Sequence, residues 1–500
     1  MRYTDLHVHV SLKTMLCKDS SARPSCWTNI NVSETIDFIS KNTFDSQSSL
    51  SQLAKGNCSL AVVALYPLET KLADVDLLQI LARLVDKKLA NKRLRQIKQN
   101  QWTSFQYAND ELDHILSDST HLVDGKQKQL KVLQNWQDYN PSNPDTIHVI
   151  FTLEGGHSLR YGKNEHANAE KMLDNFRHFR KRMPMLYITM AHMQQMVFAN
   201  HAYGIKSAGK YYFVPKGSGL TDYGKKLIDE CYTERHERKV LVDVKHLSLR
   251  SRIDFYAYRK QMEYENMPII ASHVGVTGIS RTNHLYVRKL VQPMLRKFFK
   301  VVYKQVPGII EGTFFNPSTI NMYDEDIVEI LKSDGIIGIS FDIRIIGGKR
   351  KPPKEFLSSY EAYSFTSDTD STLEVSNSEV DLQDEEGDED IFDGKDLDYK
   401  QLKGVLHFAN QVLHILQVGN RIGIDASGYV AIGTDYDGLV ASLPEVPNAS
   451  AMPDFSEKLI NVFDNCGLQN YTSVGSRELV EKIMFKNTER QIQRWLTNSY

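Results

Sequence analysis

The sequence predicts an α/β fold of the (β/α)8 TIM barrel class, formed by residues 1–500 as a single domain with inserted segments. Eight short apolar runs, rich in β-branched and aromatic residues, alternate with long amphipathic stretches, and such alternation is typical of parallel β/α architecture. The 500 residues, 41% of them hydrophobic, are enough for one large core. The alternative is a doubly wound open sheet, but no G-x-G-x-x-G follows the first run.

The eight predicted strands follow one another along the chain, and helical patterns lie between them. The strands are YTDLHVHV at 3–10, SLAVVALYPL at 59–68, IHVIFTLEGG at 147–156, MLYITMAH at 185–192, KVLVDVKH at 239–246, MPIIASHVG at 267–275, GIIGISFD at 335–342 and GYVAIGTDYDG at 428–438. Helical patterns include 170–182, 223–236 and 401–416. Parallel strands need such crossover helices, so the order supports a barrel.

Two segments interrupt this alternation. Residues 285–308, LYVRKLVQPMLRKFFKVVYKQVPG, are predicted as an inserted basic amphipathic helix broken at Pro293, either a lid or a subunit contact. Residues 346–400 are polar, acidic and poor in large apolar groups, which predicts a flexible insertion that covers or flanks the mouth of the barrel. We expect a solvated loop there, because no EF-hand spacing indicates a calcium site.

Charge and cysteine content narrow the class of protein. Lysine plus arginine number 60 and aspartate plus glutamate 62, a formal net charge of -2, so no nucleic-acid partner is expected. The five cysteines are scattered without CxxC spacing, which fits free thiols in a reducing compartment. No run approaches the ~20 apolar residues of a membrane span. We therefore expect a cytoplasmic protein with no membrane segment.

Side chains that bind metals or transfer protons stand at the ends of the predicted strands. In a (β/α)8 barrel, the carboxyl ends of the strands and the loops that follow them build the active site. The strand-end side chains are His7, His9, Glu154, His192, His246, His273 and Asp435. A single strand-end histidine is more often structural than a ligand. Their joint placement at the ends of alternating strands is what predicts a metal site.

The residue types indicate which metal this site would hold. His7 and His9 are two residues apart, so a strand would place both on one face, where they can reach one ion together. Imidazoles with a carboxylate suit Zn²⁺ or a similar divalent metal. A second ion needs a bridging carboxylate, and Glu154 is the candidate.

Seven motifs resemble the membrane dipeptidase (renal dipeptidase) family of metallopeptidases, within the amidohydrolase type of metal-dependent hydrolase. They are DLHVH at 5–9, LEGGHSL at 153–159, YITMAHM at 187–193, GLTDYGKKLI at 219–228, VLVDVKHLS at 240–248, PIIASHVG at 268–275 and IGTDYDGL at 432–439. Their order and spacing match along the whole chain, and Asn487 resembles the family's closing helix. The resemblance implies a metallo-dipeptidase that hydrolyses the peptide bond of short peptides by a metal-activated water.

The resemblance also implies a ligand set of five residues and two Zn²⁺ ions per chain, with another divalent metal as the alternative. His7, His9 and Glu154 would hold one ion. Glu154 would bridge to the other ion, which His246 and His273 would complete. Two cations lower the pKa of a bridging water and polarise the scissile carbonyl.

Two further residues carry the proton transfer and substrate binding that the resemblance implies. Asp435 would bind or deprotonate the bridging water and later hand the proton to the leaving amine. His192 would bind the substrate carbonyl or the oxyanion formed from it. Asp5 and Asp243, which precede ligand histidines, either orient them or serve only the local backbone.

Two departures from the family pattern affect the metal and the substrate. The family commonly has H-x-D in the first motif, whereas His9 stands at the aspartate position and makes the site more positive. The family also has an arginine that binds the carboxylate of the dipeptide, and Ile320 occupies that position. Arg281 in GISRTNH either substitutes as a substrate-binding residue or is an ordinary surface arginine.

The sequence is compatible with two other functions, and it does not decide whether the protein forms a homodimer. The same metal centre could act on another amide, a lactone or a phosphoester, which would be favoured if Arg281 does not reach the pocket. A non-catalytic barrel used for binding is the second alternative, against which the intact ligand set argues. Barrels of this size often pair through their outer helices, so a homodimer is expected by association alone.

Overall fold

A computed structural model shows eight parallel strands in one sheet that curves into a nearly closed barrel. The predicted (β/α)8 class is confirmed. The structure describes residues 1–17, 23–31, 43, 45–70, 72, 91–99, 101–162, 166–204, 214–215, 217, 219–234, 238–282, 289–291, 298–347, 354–365, 375–376 and 402–500.

Each of the eight predicted runs contains one strand of the barrel. The strands are β1 Tyr3–Val8, β2 Cys58–Leu65, β3 Thr146–Leu153, β4 Met185–Thr189, β5 Leu241–Asp243, β6 Ile269–Val274, β7 Ile336–Ile339 and β8 Val430–Ile432. Their spatial order is their order in the chain, and each neighbouring pair from β1 to β8 is parallel. A hairpin of Thr120–Val123 and Lys126–Val132 extends this sheet beside β3.

Backbone hydrogen bonds connect the last strand to the first. The amide of His9 donates to the carbonyl of Tyr436 at 3.0 Å, and the amide of Asp435 donates to the carbonyl of His7 at 2.9 Å. The Asp5 carboxylate adds two further bonds, from the Thr434 amide at 3.0 Å and the Thr434 hydroxyl at 2.6 Å. Asp5 therefore ties β1 to the chain that follows β8.

The strands are apolar almost throughout because both of their faces are covered. Every residue of β2 and β3 is buried, as expected of parallel strands with a packed interior and helices outside. Several strands end before the apolar run does. In the fifth run, β5 ends at Asp243, and His246 has a positive φ of 64°. His246 therefore lies in the loop after the strand.

Helices fill the connections, and the three helical patterns quoted from the sequence are confirmed. The helices are α1 Leu12–Leu16, α2 Leu50–Lys55, α3 Asn91–Lys98, α4 Ser104–Ser117, α5 Ala169–Arg182, α6 Asp222–Tyr232, α7 Leu249–Gln261, α8 Asp324–Lys332, α9 Ile343–Ile346, α10 Ser359–Tyr363, α11 Lys403–Arg421, α12 Met452–Asn465, α13 Ser476–Glu481 and α14 Asn487–Leu496. A π-helical turn, Lys482–Lys486, joins the last two.

The prediction of a basic helix at 285–308 is wrong for the part of that segment that the structure describes. Lys289–Val291 and Phe298–Val302 are strands that pair antiparallel, and Phe298–Val302 also pairs with Lys354–Ser358 from the second insertion. With Val375–Ser376 they form a four-stranded sheet. The aromatic and β-branched residues of FFKVV favour a strand once a partner is present. That partner comes from the other insertion, which the sequence pattern does not reveal.

The acidic insertion is only partly a loop. Its residues 354–365 form a strand and the helix α10, held to the barrel by two buried carboxylates. Glu355 accepts hydrogen bonds from the amide and hydroxyl of Thr319 at 2.9 and 2.8 Å. Glu361 accepts from the Asn200 side chain at 2.8 Å. The predicted flexibility concerns mainly 366–374 and 377–400, which lie outside the described residues.

Two other expectations concern the cysteines and membrane spans. All five cysteines are free, in agreement with the absence of a disulfide pattern. Among the helices that the structure describes, none combines the length and apolar character needed to cross a bilayer.

Glu111 of α4 is a fully buried carboxyl group that links the loops after β1 and β2. It accepts hydrogen bonds from the Ser11 hydroxyl at 2.6 Å and from the Tyr66 amide at 2.9 Å. Burial raises the pKa of Glu111 to about 7, although the hydrogen bond from Ser11 opposes this shift.

The Glu111→Gln substitution is expected to raise the melting temperature at pH 8 more than at pH 5. The folded protein keeps the Glu111 proton up to pH ~7, whereas the unfolded chain loses it near pH 4.5, so this group stabilises the fold less as pH rises across that window. Between pH 4.5 and pH ~7, the contribution of Glu111 to the free energy of unfolding falls by roughly 3 kcal/mol. Thermal melts at both pH values test it, with the exposed Asp113→Asn on the same helix as control. A pH-independent shift would contradict it.

Candidate metal centre

The seven predicted strand-end side chains lie together at the carboxyl ends of the barrel strands. Six of them are buried, and the Asp435 side chain is 16% exposed. They are His7 in β1 and His9 just after it, Glu154 after β3, His192 after β4, His246 after β5, His273 in β6 and Asp435 after β8. The structure therefore brings together all of the residues predicted as metal ligands, together with both predicted catalytic residues.

Glu154 stands at the centre of this group and faces five imidazoles. Its Oε1 atom lies 3.3–3.5 Å from the Nε2 atoms of four histidines, and its Oε2 atom lies 3.1 Å from Nε2 of the fifth. The four are His7, His192, His246 and His273, and the fifth is His9. Gly155 follows with a φ of 83°, and a Cβ there would lie 2.3 Å from the His157 ring. Only glycine fits this turn, which sets Glu154 in place.

Asp435 approaches the same group from the other side. Its Oδ1 atom lies 3.4 Å from His9 Nε2 and 3.8 Å from His7 Nε2, and its Oδ2 atom lies 3.9 Å from His273 Nε2. Asp435 has a φ of 59°, a backbone conformation that aspartate and asparagine tolerate better than most residues.

Several ring nitrogens in this cluster have no hydrogen-bond partner among the described residues. They are Nε2 of His7, both nitrogens of His9 and Nδ1 of His246. The Nε2 atoms of His246 and His273 face each other at 3.0 Å. Unsatisfied buried nitrogens are unfavourable, and a cation would satisfy those that point inward. An ion with tetrahedral bonds of about 2.1 Å spaces its ligand atoms roughly 3.4 Å apart, close to the separations found here.

The donor atoms fall into two groups that share Glu154. One contains Glu154 with His7, His273 and Asp435, and the other contains Glu154 with His192 and His246. Within each group the donor atoms lie within 4.8 Å of one another. This division differs from the predicted one, in which His7 and His9 share an ion, so the assignment of each histidine to an ion stays a prediction. The donor set itself fits divalent metal.

Two histidines are held in the tautomer that turns a lone pair toward this centre. The Tyr187 hydroxyl donates to the Leu6 carbonyl at 2.8 Å, so it accepts from Nδ1 of His7, also at 2.8 Å. The Ser272 hydroxyl donates to Asp243 at 2.6 Å and likewise accepts from Nδ1 of His273 at 2.8 Å. Both Nε2 atoms are then free to bind an ion. Asp243 thus orients His273 through Ser272.

Glu69 fixes the ring of His192 through its Nδ1 atom, and sequence reasoning missed it. The Nδ1 atom of His192 lies 2.6 Å from Glu69 Oε1, which also accepts from the Met193 amide at 3.2 Å, and the Tyr66 hydroxyl donates to Glu69 Oε2. Burial alone would raise the pKa of Glu69, but the charges of His192 and His157 hold it below its usual value. A carboxylate just beyond the second predicted strand was the only available signal.

The charged groups of the cluster shift one another's pKa values. Burial alone would raise the pKa of Glu154, but His192, His7 and His9 hold it well below its usual range. Burial raises the pKa of Asp435 and the negative charge of Glu154 adds to this shift, whereas the nearby imidazoles of His9 and His7 oppose it. A cation among these groups would stabilise both carboxylates in their charged form.

Lys245 is a second residue that sequence reasoning missed. It directly precedes His246 and is 1% exposed. Burial lowers the pKa of its ammonium group to about 8, although Asp435, Asp243 and Asp342 oppose this shift. A buried cation therefore lies beside the cluster of histidines and carboxylates.

The predicted substrate-binding arginine is engaged outside this cluster. Nη1 of Arg281 donates to the Ser364 carbonyl at 3.3 Å, and its backbone amide donates to Glu325 at 3.0 Å. Ile320, which stands at the family's arginine position, is buried. The substrate-binding role of Arg281 stays a prediction.

Comparison with known sequences adds one match. Residues 12–284, more than half of the chain, match the family model described as membrane dipeptidase (Peptidase family M19). Glu154, His246 and His273 lie inside this stretch, whereas His7 and Asp435 lie outside it. No curated protein sequence matches the chain.

Comparison with solved structures gives matches over nearly all of the chain at low identity. Dipeptidase AC, a metallopeptidase, is 13% identical with a TM-score of 0.49, and 99% of each chain is covered. A metallopeptidase from Rhodobacter sphaeroides, liganded with a phosphinate mimic of L-Ala-D-Ala, is 13% identical with a TM-score of 0.48 and the same coverage. The probable dipeptidase PvdM from Pseudomonas aeruginosa is 12% identical with a TM-score of 0.47, covering 99% of this chain and 96% of the other.

Proposed function

The chain belongs to the membrane dipeptidase family, Peptidase family M19, and on that premise we propose that its buried cluster is a two-zinc centre that hydrolyses dipeptides. Members of this family are metallo-dipeptidases, so a divalent metal and a peptide substrate follow from membership. The number of ions, their identity as zinc and the dipeptide length are the proposed part. The observation that carries the proposal is the single carboxylate of Glu154 facing five imidazole nitrogens at 3.1–3.5 Å.

His7, His9, Glu154, His246 and His273 are the residues that would hold the metal. Bound divalent metal supplies Lewis acidity, which acidifies water and polarises the scissile carbonyl. The fixed tautomers of His7 and His273 mean that little reorganisation is needed when an ion binds. The protein therefore contributes a preformed and largely buried ligand set.

Asp435 is proposed as the group that moves the proton. It is the most exposed of the seven side chains and lies at the edge of the cluster, where both substrate and water can reach it. Its carboxylate takes a proton from the attacking water and returns it to the nitrogen of the leaving amine. One carboxylate can serve both steps because the proton that it takes from water is the proton that it later returns.

His192 is proposed to bind the carbonyl oxygen of the substrate. Because Nδ1 donates to Glu69, Nε2 can donate to that oxygen only when the ring carries both protons. Burial disfavours the charged ring, but the neighbouring carboxylates of Glu69 and Glu154 favour it and raise the pKa of His192 overall. A donor held in place before the reaction stabilises the negative charge that develops on the oxygen.

A second candidate function is hydrolysis of another amide, a lactone or a phosphoester. It is favoured by the buried Ile320 at the position of the family's carboxylate-binding arginine, and by the engagement of Arg281 with Ser364. His9 in place of the family's aspartate would further change the charge of the centre. A non-catalytic barrel stays the third alternative. The cytoplasmic location and the homodimer also stay predictions.

Metal analysis and substrate assays separate these functions. The purified protein is expected to hold two equivalents of divalent metal and to hydrolyse a panel of dipeptides, and removal of the metal by a chelator should abolish turnover. Re-addition of Zn²⁺ should restore it. Turnover of N-acyl amides or lactones without dipeptide turnover would favour the second candidate, and a protein that binds no metal would leave only the non-catalytic barrel.

A further inference from the structure

The ammonium group of Lys245 makes no hydrogen bond or ion pair with any residue of the described ranges, although the residue is 1% exposed. Its backbone amide is fixed to the Asp243 carboxylate at 3.0 Å, so the start of the side chain is held in place. A buried cation without a partner is strongly unfavourable. Such a group is retained more readily where a ligand supplies the missing negative charge.

Within the part of the chain that the structure describes, the carboxylates whose charges act on Lys245 are engaged by other groups. Asp243 accepts from Thr189, from both the amide and the hydroxyl of Ser272, and from the Lys245 amide. Asp342 is bound by two nitrogens of the Arg344 guanidinium at 2.5–3.0 Å. None of these carboxylates lies within ion-pair distance of the Lys245 ammonium.

Glu154 and Asp435, the remaining two carboxylates near Lys245, face the histidines of the metal cluster. The ammonium therefore borders the cluster without being neutralised by it. A dipeptide carries its free carboxylate only one residue, about 3.8 Å of chain, beyond the scissile bond. The cation that binds this carboxylate must accordingly stand beside the reacting centre, and Lys245 is adjacent in sequence to His246.

We propose that Lys245 binds the free carboxylate of the substrate and so selects peptides that end one residue after the scissile bond. This inference rests on the proposed dipeptidase function. In this proposal Lys245, which follows β5, binds the carboxylate that an arginine binds in the family. This chain has Ile320 at the position of that arginine. Arg281, whose guanidinium binds the Ser364 carbonyl at 3.3 Å, is the competing candidate.

Binding to a catalytically impaired protein tests the inference directly. In the metal-loaded Asp435→Asn variant, Ala-Ala is expected to bind about 10- to 100-fold more tightly than its C-terminal amide, as expected for a buried charge-assisted contact. Adding Lys245→Met should make the two ligands bind equally, whereas Lys245→Arg should keep much of the preference. Isothermal titration calorimetry measures both affinities. Lys225→Met on the outer helix α6 is the matched control.

Stability and kinetics give two further readouts. Without ligand, Lys245→Met is expected to raise the melting temperature, because it removes a buried charge that has no partner among the described residues. In the otherwise unchanged enzyme, it should raise KM for Ala-Ala about 10- to 100-fold with a smaller change in kcat. The raised melting temperature shows that a KM effect does not come from misfolding.

The inference is overturned if the Lys245→Met protein keeps the preference for the free acid, or if Arg281→Met alone abolishes it. These outcomes differ from failure of the proposed function, in which the unmodified enzyme hydrolyses no dipeptide. In that case the binding comparison with Ala-Ala and its amide still decides whether Lys245 recognises a carboxylate.

Discussion

Asp435→Asn is expected to lower kcat for dipeptide hydrolysis by about 10²- to 10⁴-fold, the usual contribution of a general base. Asparagine keeps the size of the side chain and tolerates the positive φ of 59° at this position, but it cannot accept a proton from water. Because Asp435 lies at the edge of the cluster and four imidazoles lie closer to Glu154 than to any other carboxylate, most metal should remain bound. Steady-state kinetics and metal analysis of the same preparation measure both effects.

Comparison with Asp435→Ala separates the loss of proton transfer from an effect on the backbone. Alanine, like asparagine, cannot accept a proton from water, but it is poorly suited to the left-handed backbone at this position. Asp435→Ala should therefore also lower the melting temperature, whereas Asp435→Asn should leave it nearly unchanged. An Asp435→Asn enzyme with normal kcat would remove this residue from the proton transfer. A variant that lost its metal would instead place Asp435 among the ligands.

Glu154→Gln is expected to abolish both metal binding and activity. A neutral amide removes the negative charge that lies 3.1–3.5 Å from five imidazoles, and one of its two donor atoms becomes an N–H group that repels a cation. Loss of a group that merely orients a ligand typically weakens metal binding about 10- to 100-fold, so loss of this central ligand should exceed that range. Metal analysis after dialysis and a Zn²⁺ titration with a competing chelator measure the affinity.

An exposed carboxylate on the connection that follows Glu154 provides the control. Glu170→Gln, at the start of α5, leaves the cluster untouched and should keep full metal content and activity. Normal metal content in Glu154→Gln would contradict the central position of this residue in the site. Comparison of Glu154→Gln with Asp435→Asn separates the effect of losing the metal from the effect of losing proton transfer.

The barrel could be predicted because its strands are apolar on both faces, a local property that the sequence shows directly. The positions of the predicted site residues followed from the same pattern, since His7, Glu154 and Asp435 each come at the end of a buried run. The small sheet of the insertions could not be predicted, because Phe298–Val302 pairs with Lys354–Ser358 and such long-range pairing leaves no local signal.

Lys245 and Glu69 were missed for physical reasons. Neighbouring residues of a strand point to opposite faces, so a lysine beside the predicted ligand His246 is expected to point away from it. The strand ends at Asp243, however, and His246 has a φ of 64°, so alternation no longer applies. Glu69 acts on His192 across 123 positions of sequence, a relation that no local pattern contains.

The closure of the barrel by β1 and β8 has a consequence for how the chain acquires its site during synthesis. The Thr434 amide bonds to the Asp5 carboxylate across 429 positions of sequence, so the first strand gains its second neighbour only when the eighth has left the ribosome. At ~5–20 residues per second, the 429 positions between Asp5 and Thr434 take on the order of tens of seconds to make. His7 and His9 are made at the start of this interval and Asp435 just after it, so the complete set of ligands can assemble only when the chain between them has been synthesised.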